Sequence, residues 1–192
     1  MSLVKDNKSW LKRGRQRAAV AQVLRKPMTE TQICVAARRI APRIQLRDVW
    51  HLLTSMRQQG LVACLNPNAL TGKVYALTNK GRRAVTASFG GQSLPPAKWV
   101  DWRRYGWVVR GRVRRMVLME LTRPWAVGGG TASEIRRRLR DRCPVGLNPT
   151  VRALKELVQA KLVKVEQDGR NRLRKQYVLT RQGAAIAQQF QT

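Results

Sequence analysis

The chain repeats itself once, and that repetition limits its possible folds more than any other feature of its 192 residues. Trp10-Leu-Lys-Arg-Gly-Arg-Gln-Arg17 aligns with Trp107-Val-Val-Arg-Gly-Arg-Val-Arg114 at an offset of 97. Val74-Tyr-Ala-Leu-Thr-Asn-Lys-Gly81 aligns with Gln176-Tyr-Val-Leu-Thr-Arg-Gln-Gly183 at an offset of 102. Between them Leu53, Met56, Leu61 and Val62 fall on Leu154, Leu157, Leu162 and Val163. The change of offset is absorbed at Pro124-Trp-Ala-Val-Gly-Gly-Gly130, a glycine-rich insertion in the first loop of the second copy. Solenoid repeats have periods of roughly 20–50 residues, so one repetition at twice that length is a domain duplication.

The same elements are expected in each copy. A first helix spans about Gly14 to Leu24, and again Gly111 to Leu121, with Val20, Val23 and Leu24 matched by Val117, Glu120 and Leu121 on a mostly apolar face. Thr29 and Thr131 stand where a second helix needs an N-cap, with Glu30 and Glu134 in its first turn, and Thr131-Ala-Ser-Glu134 fits a capping box. A third helix starts near Leu46 and at Asn148-Pro149, read as N-cap and first helical proline. Gly60 ends it in the first copy, whereas Lys161 is a weaker stop in the second. Alternation in Leu61–Leu65 and Leu162–Glu166 predicts short strands, followed by the turn residues Asn66-Pro-Asn68 with Gly72, and by Asp168-Gly169. Second strands are expected around Tyr75 and Tyr177, and closing helices ending near Phe89 and Phe190.

This order predicts a mostly α chain with small β-hairpin wings (α+β), namely two tandem winged helix-turn-helix domains at residues 1–89 and 107–192, joined by a linker at 90–106. The signature Leu53-x-x-Met56-x-x-x-Gly60-Leu-Val62, then Tyr75-x-Leu77-Thr78-x-x-Gly81, resembles that of bacterial and archaeal winged-helix regulators of the multiple-antibiotic-resistance and phenolic-acid-repressor types. The second copy carries it through Leu154, Leu157, Leu162, Val163, Tyr177, Leu179, Thr180 and Gly183. Those regulators add a long dimerisation helix that neither copy has, so the fused copies are expected to act as a monomeric pseudo-dimer or within a larger nucleoprotein complex. What the resemblance implies is DNA binding.

Composition points the same way. Residues 1–95 hold 17 basic and 3 acidic residues, and residues 96–192 hold 22 and 7, for a net charge of +29. Charge of this size repels itself unless a polyanion neutralises it, and phosphate backbones do so while releasing counterions. The excess lies on both halves and is no detachable tail. No apolar run approaches the ~20 residues that span a bilayer, and Met1 to Trp10 lacks a signal peptide's apolar stretch. Cys34, Cys64 and Cys143 are odd in number and widely spaced, which suits a reducing compartment, so a cytoplasmic, nucleoid-associated protein is expected. His51 is the lone histidine, no C-x-x-C pair occurs, and no glycine-rich phosphate loop of the P-loop or dinucleotide type is present. No enzyme, metal or cofactor is expected.

In a helix-turn-helix the third helix enters the major groove. Its buried face is expected to hold Val49, Trp50, Leu53 and Met56, with Val151, Leu154 and Leu157 in the second copy. The opposite face then carries Arg47, His51 and Thr54, matched by Asn148, Arg152 and Lys155, and Arg and Asn are the types that read guanine and adenine. The second wing, Gly169 to Lys175, offers Arg170, Arg172, Arg174 and Lys175 to phosphates, while the first, Asn66 to Lys73, has one lysine. Arg13-Gly-Arg15 and Arg110-Gly-Arg112 resemble an AT-hook core without its prolines, and phosphate clamping at a helix start is the preferred reading. Helix two of the second copy, Glu134 to Arg142, holds five arginines in nine positions, including Arg136 and Arg137, and favours a polyanion. Trp99, Trp102, Tyr105 and Trp107, beside Arg103 and Arg104, are expected to pack between domains more than to stack on bases.

The leading expectation is a double-stranded DNA-binding protein, either a transcription regulator or an architectural, nucleoid-type protein. The alternative is an RNA-binding or ribonucleoprotein subunit, or a DNA-binding accessory of a replication or mobile-element complex. An adaptor that binds protein through its wings leaves the charge unexplained.

Overall fold

The apolar spacing of each copy resolves into helices that lead to a hairpin. A computed structural model of the chain describes residues 3–90, 100–126, 128–140, 142, 144–168 and 171–191. It comprises two units, residues 1–103 and 104–192, both α+β with a small antiparallel sheet. Unit 1 contains α1 (Leu3–Lys12), α2 (Arg15–Val23), β1 (Met28–Thr29), α3 (Glu30–Ala37), α4 (Leu46–Gln58), β2 (Val62–Cys64), β3 (Val74–Leu77) and α5 (Asn79–Phe89). Unit 2 follows with α6 (Trp102–Arg110), whose first two residues precede the division, then α7 (Arg112–Glu120) and a 3-10 turn (Pro124–Ala126). It continues through α8 (Ala132–Leu139), α9 (Leu147–Gln159), β4 (Val163–Asp168), β5 (Asn171–Leu179) and α10 (Arg181–Gln191).

Each copy thus has one more helix than expected, α1 and α6, and residues 102–106 are helical rather than linker. Residues 91–99, including Trp99 and about half of the predicted linker, lie outside the described residues. The extra helices explain the repeated Trp-to-Arg motif. Arg17 folds back from α2 so that its guanidinium lies 3.8 Å from the Trp10 ring centroid and donates to the Trp10 carbonyl at 2.7 Å. Arg114 does the same from α7, 4.0 Å from the Trp107 centroid, and donates to the Trp107 carbonyl at 3.1 Å. These two arginines join consecutive helices.

Capping follows the sequence closely. Thr131 and Glu134 close a reciprocal box at α8, with the Thr131 amide donating to Glu134 at 2.9 Å and the Glu134 amide to the Thr131 hydroxyl oxygen at 3.3 Å. Thr29 does so at α3 with Gln32, which leaves Glu30 to accept from the Tyr75 hydroxyl at 2.9 Å. Burial, and then the Glu30 carboxylate, push the Tyr75 phenol above its usual pKa.

The last two residues of the shared signature lock the closing helix onto the sheet. Thr78 donates its amide to the Leu61 carbonyl at 3.0 Å, its hydroxyl to the Gly60 carbonyl at 2.7 Å, and accepts from the Gly81 amide at 3.0 Å. Thr180 repeats this with the Leu162 and Lys161 carbonyls and the Gly183 amide. Gly81 and Gly183 are required sterically, since a Cβ would lie 1.9 Å and 2.0 Å from the Leu61 and Leu162 carbonyl oxygens.

In unit 1 the sheet order is β1-β3-β2, all antiparallel, with Met28 opposite Tyr75 and Val62 opposite Leu77. In unit 2 β4 pairs with β5 from Val163 opposite Leu179, and an isolated bridge between Gly130 and Tyr177 stands where β1 meets β3 in the first copy. Leu24, Ile33, Leu53, Met56 and Leu61 are buried in unit 1, and Leu118, Ile135, Leu139, Leu154 and Leu162 in unit 2. Each such side chain contributes about 1.5–3 kcal/mol by leaving water.

Candidate functional site

The helices expected third in each copy, which are α4 and α9, sort their residues by a turn of about 3.6 residues. On α4, Val49, Leu53 and Met56 are buried, and on α9, Thr150, Ala153, Leu154 and Leu157 are. Arg47, His51, Asn148, Arg152 and Lys155 are exposed. Thr54 is half-buried and donates its hydroxyl to the Trp50 carbonyl at 3.0 Å, so it is committed to its own helix. Trp50 departs from expectation: it is 51% exposed and meets His51 edge-on, with centroids 4.9 Å apart. At about 100° per residue it lies a quarter-turn from the stripe of Val49, Leu53 and Met56, too far to join them. Val151, at the matching position of α9, is half-buried for the same reason. Asn148 is not the N-cap, since Gly146 is; Asn148 sits inside the first turn and Pro149 follows it there.

The Arg-Gly-Arg triplets span joints between helices. Arg15 and Arg112 open α2 and α7, as expected, but Arg13 lies in the connection after α1, and Arg110 is the last residue of α6. Arg110 therefore faces the carbonyl end of a helix, where a cation is favoured for its own sake. Arg15 donates to the Ile40 carbonyl at 3.4 Å. All four are exposed. In unit 2 the start of α7 and the first half of α9 enclose a hollow of about 260 Å³ lined by Arg112 and Arg152 together with Gly111 and Arg114. Arg114 holds the two helices in place, donating to Glu156 at 2.7 Å. Two of the expected contact residues are thereby brought to one concavity.

Arg136 and Arg137 are exposed on α8, and Lys175 is exposed on β5. Arg170 lies outside the described residues, as do the side chains of Arg172 and Arg174 and all of Gly169 and Cys143. The connection from β2 to β3 is tied down rather than extended. Asn66, 7% exposed, accepts from the Val74 amide at 2.7 Å and donates to the Gly72 and Trp102 carbonyls at 3.0 and 3.2 Å. Of the aromatic cluster, Trp102 and Tyr105 are buried, and Tyr105 stacks on Phe190 with centroids 5.2 Å apart. Sequence reasoning passed over Arg123, which lines one hollow with Glu120 and with Arg137, Arg138 and Arg142 of the arginine run. The available signal was Glu120 itself, a carboxylate on an apolar face next to the insertion.

Among the described residues no helix is long and apolar enough to cross a membrane, and no three His, Cys, Asp or Glu side chains gather as metal ligands. Compared with known protein families, curated proteins and solved structures, the chain matches none.

Proposed function

We propose that the chain is a non-enzymatic, double-stranded DNA-binding protein built from two tandem winged-helix domains, acting as a transcription regulator or as an architectural, nucleoid-type protein. One observation carries the reading: α4 and α9, at matching places in the repeat, bury an apolar stripe and turn Arg47 and His51, or Asn148, Arg152 and Lys155, to solvent. A third helix with this division, followed by an antiparallel hairpin, is the arrangement in which helix-turn-helix proteins read the major groove. The hollow shared by Arg112 and Arg152 adds a place for backbone phosphate beside the reading face. The net charge of +29 supplies affinity that does not depend on sequence.

The test is a fluorescence-anisotropy titration with duplex DNA, single strands and structured RNA as competitors. Duplex is expected to win, and affinity to fall by about 10³–10⁵ between roughly 50 and 200 mM salt if six to ten phosphates are contacted. Arg47→Ala with Arg152→Ala is expected to narrow the gap between preferred and random duplexes by roughly 1–3 kcal/mol per lost base contact. A pair that leaves both affinity and preference unchanged places the surface elsewhere. The second reading, an RNA or ribonucleoprotein subunit, is favoured by Trp50, whose half-exposed ring is suited to stack on an unpaired base. RNA displacing duplex at equal concentration, with Trp50→Ala abolishing that advantage, selects it.

A further inference from the structure

The insertion in the second copy builds something that the first copy lacks the chain to make. Four residues separate Leu24 from Thr29, and nine separate Leu121 from Thr131. The extra residues form the 3-10 turn, and Trp125 in that turn lies so close to Gly130 that a Cβ there would be 2.7 Å from its Cζ3. The Trp125 indole Nε1 donates to Glu120 Oε1 at 2.9 Å, and Arg142 Nη1 donates to Glu120 Oε2 at 3.4 Å. Glu120 stands where the first copy has Val23 and is 5% exposed. A buried carboxylate is strongly disfavoured unless paired and hydrogen-bonded, so the Val-to-Glu difference and the insertion make sense only together.

Around this carboxylate lies a hollow of about 630 Å³ lined by Trp125, Arg123, Arg137, Arg138 and Arg142. The Arg138 guanidinium sits 5.5 Å from the Trp125 centroid. Neither Arg123 nor Arg137 has an ion-pair partner among the described residues, and Glu120 is occupied by Trp125 and Arg142. The result is a concavity of ligand size in which four arginines face one carboxylate already in use. Guanidinium forks match the spacing of phosphate oxygens, and of these four only Arg142 has a carboxylate partner among the described residues, so gathering them is unfavourable unless an anion joins them.

We propose that this hollow is a phosphate-binding site specific to the second copy, taking a diphosphate-sized group from a free nucleotide or from a nucleic-acid backbone. It needs only the fold of unit 2 and stands whether or not α4 and α9 meet a duplex. The test is isothermal titration of the full chain with pyrophosphate and, separately, with duplex DNA. Arg123→Gln with Arg138→Gln removes two of the site's charges, and Arg39→Gln with Arg83→Gln, both exposed in unit 1, removes the same charge elsewhere. Pyrophosphate is expected to bind once per chain, and the first pair to weaken it by at least about tenfold, the scale of losing charge-assisted contacts, while the second pair stays near wild type. If pyrophosphate does not bind but the first pair weakens duplex binding selectively, the phosphate is the backbone's and the site stands. Equal effects of both pairs on both ligands, or no effect of either, overturn the proposal. Loss of duplex binding by the wild type alone, with the pyrophosphate result intact, counts against the DNA reading and not against the site.

Discussion

Gly81 and Gly183 show how one missing methyl group settles the placement of a helix. Each lies in the first turn of its closing helix, above the carbonyl that also accepts the amide of Thr78 or Thr180. A Cβ at either position would enter that oxygen's van der Waals shell, and the atom in the way is backbone, which cannot rotate aside. Gly81→Ala and Gly183→Ala are therefore each expected to destabilise their own unit by about 1–3 kcal/mol, the usual cost of overpacking. Chemical denaturation of the two variants checks this, and unchanged midpoints would mean that the helix shifts freely on the sheet. Arg17 and Arg114 make a related point about charge. Both belong to the conspicuous repeated motif, yet each spends its guanidinium on a tryptophan ring and carbonyl, and each leaves a buried Nε unpartnered. Being basic in this chain does not by itself mark a residue as a contact.

At the scale of elements, α4 and α9 end alike with different residues. Gly60 and Lys161 both take a left-handed backbone, φ of 66° and 58°, so that the chain turns directly into β2 or β4. Lysine holds that conformation at a steric cost of about 1–2 kcal/mol, partly offset because glycine loses more freedom on folding. Lys161→Gly is expected to stabilise unit 2 by about 0.5–1 kcal/mol, and Gly60→Lys to destabilise unit 1 by a similar amount. Equal denaturation midpoints for variants and wild type would show that the turn does not hold this backbone. The helices α4 and α9, the hairpins and the Thr29 and Thr131 caps were legible because their signals are local: apolar residues at helical spacing, Thr with an acidic residue in the turn after it, alternation in the strands. The Asn148 cap was misread, since Gly146 takes that place. α1 and α6 were not, because what stabilises them is distant in sequence, as when Tyr105 meets Phe190. Trp50 misled for a different reason. An aromatic residue next to Val49 reads as core, but at about 100° per residue Trp50 falls a quarter-turn from the stripe of Val49, Leu53 and Met56. The Glu120 site was hidden because its partners, Trp125 and Arg142, are brought together by an insertion with no counterpart in the first copy.

Taken whole, the molecule sets two salt effects against each other. Each unit carries its own large basic excess: residues 1–103 hold 19 basic and 4 acidic residues, and residues 104–192 hold 20 and 6. In the free protein these charges repel at separations that salt screens, since the Debye length is about 10 Å at 0.1 M and about 3 Å at 1 M. Added salt should therefore raise the melting temperature of the free chain by relieving self-repulsion. The same salt removes the counterion-release drive for holding a polyanion, so it should lower duplex affinity steeply. The expected signature is a pair of curves of opposite slope, melting temperature rising and association constant falling over one salt series. A duplex should then stabilise the chain most at low salt, where binding is tightest and the bare protein is weakest. Thermal melts with and without duplex across the series would measure both curves at once. A free chain whose melting temperature is flat in salt would show that its arginines are already neutralised within each unit, and the need for a polyanionic partner would lose its physical basis.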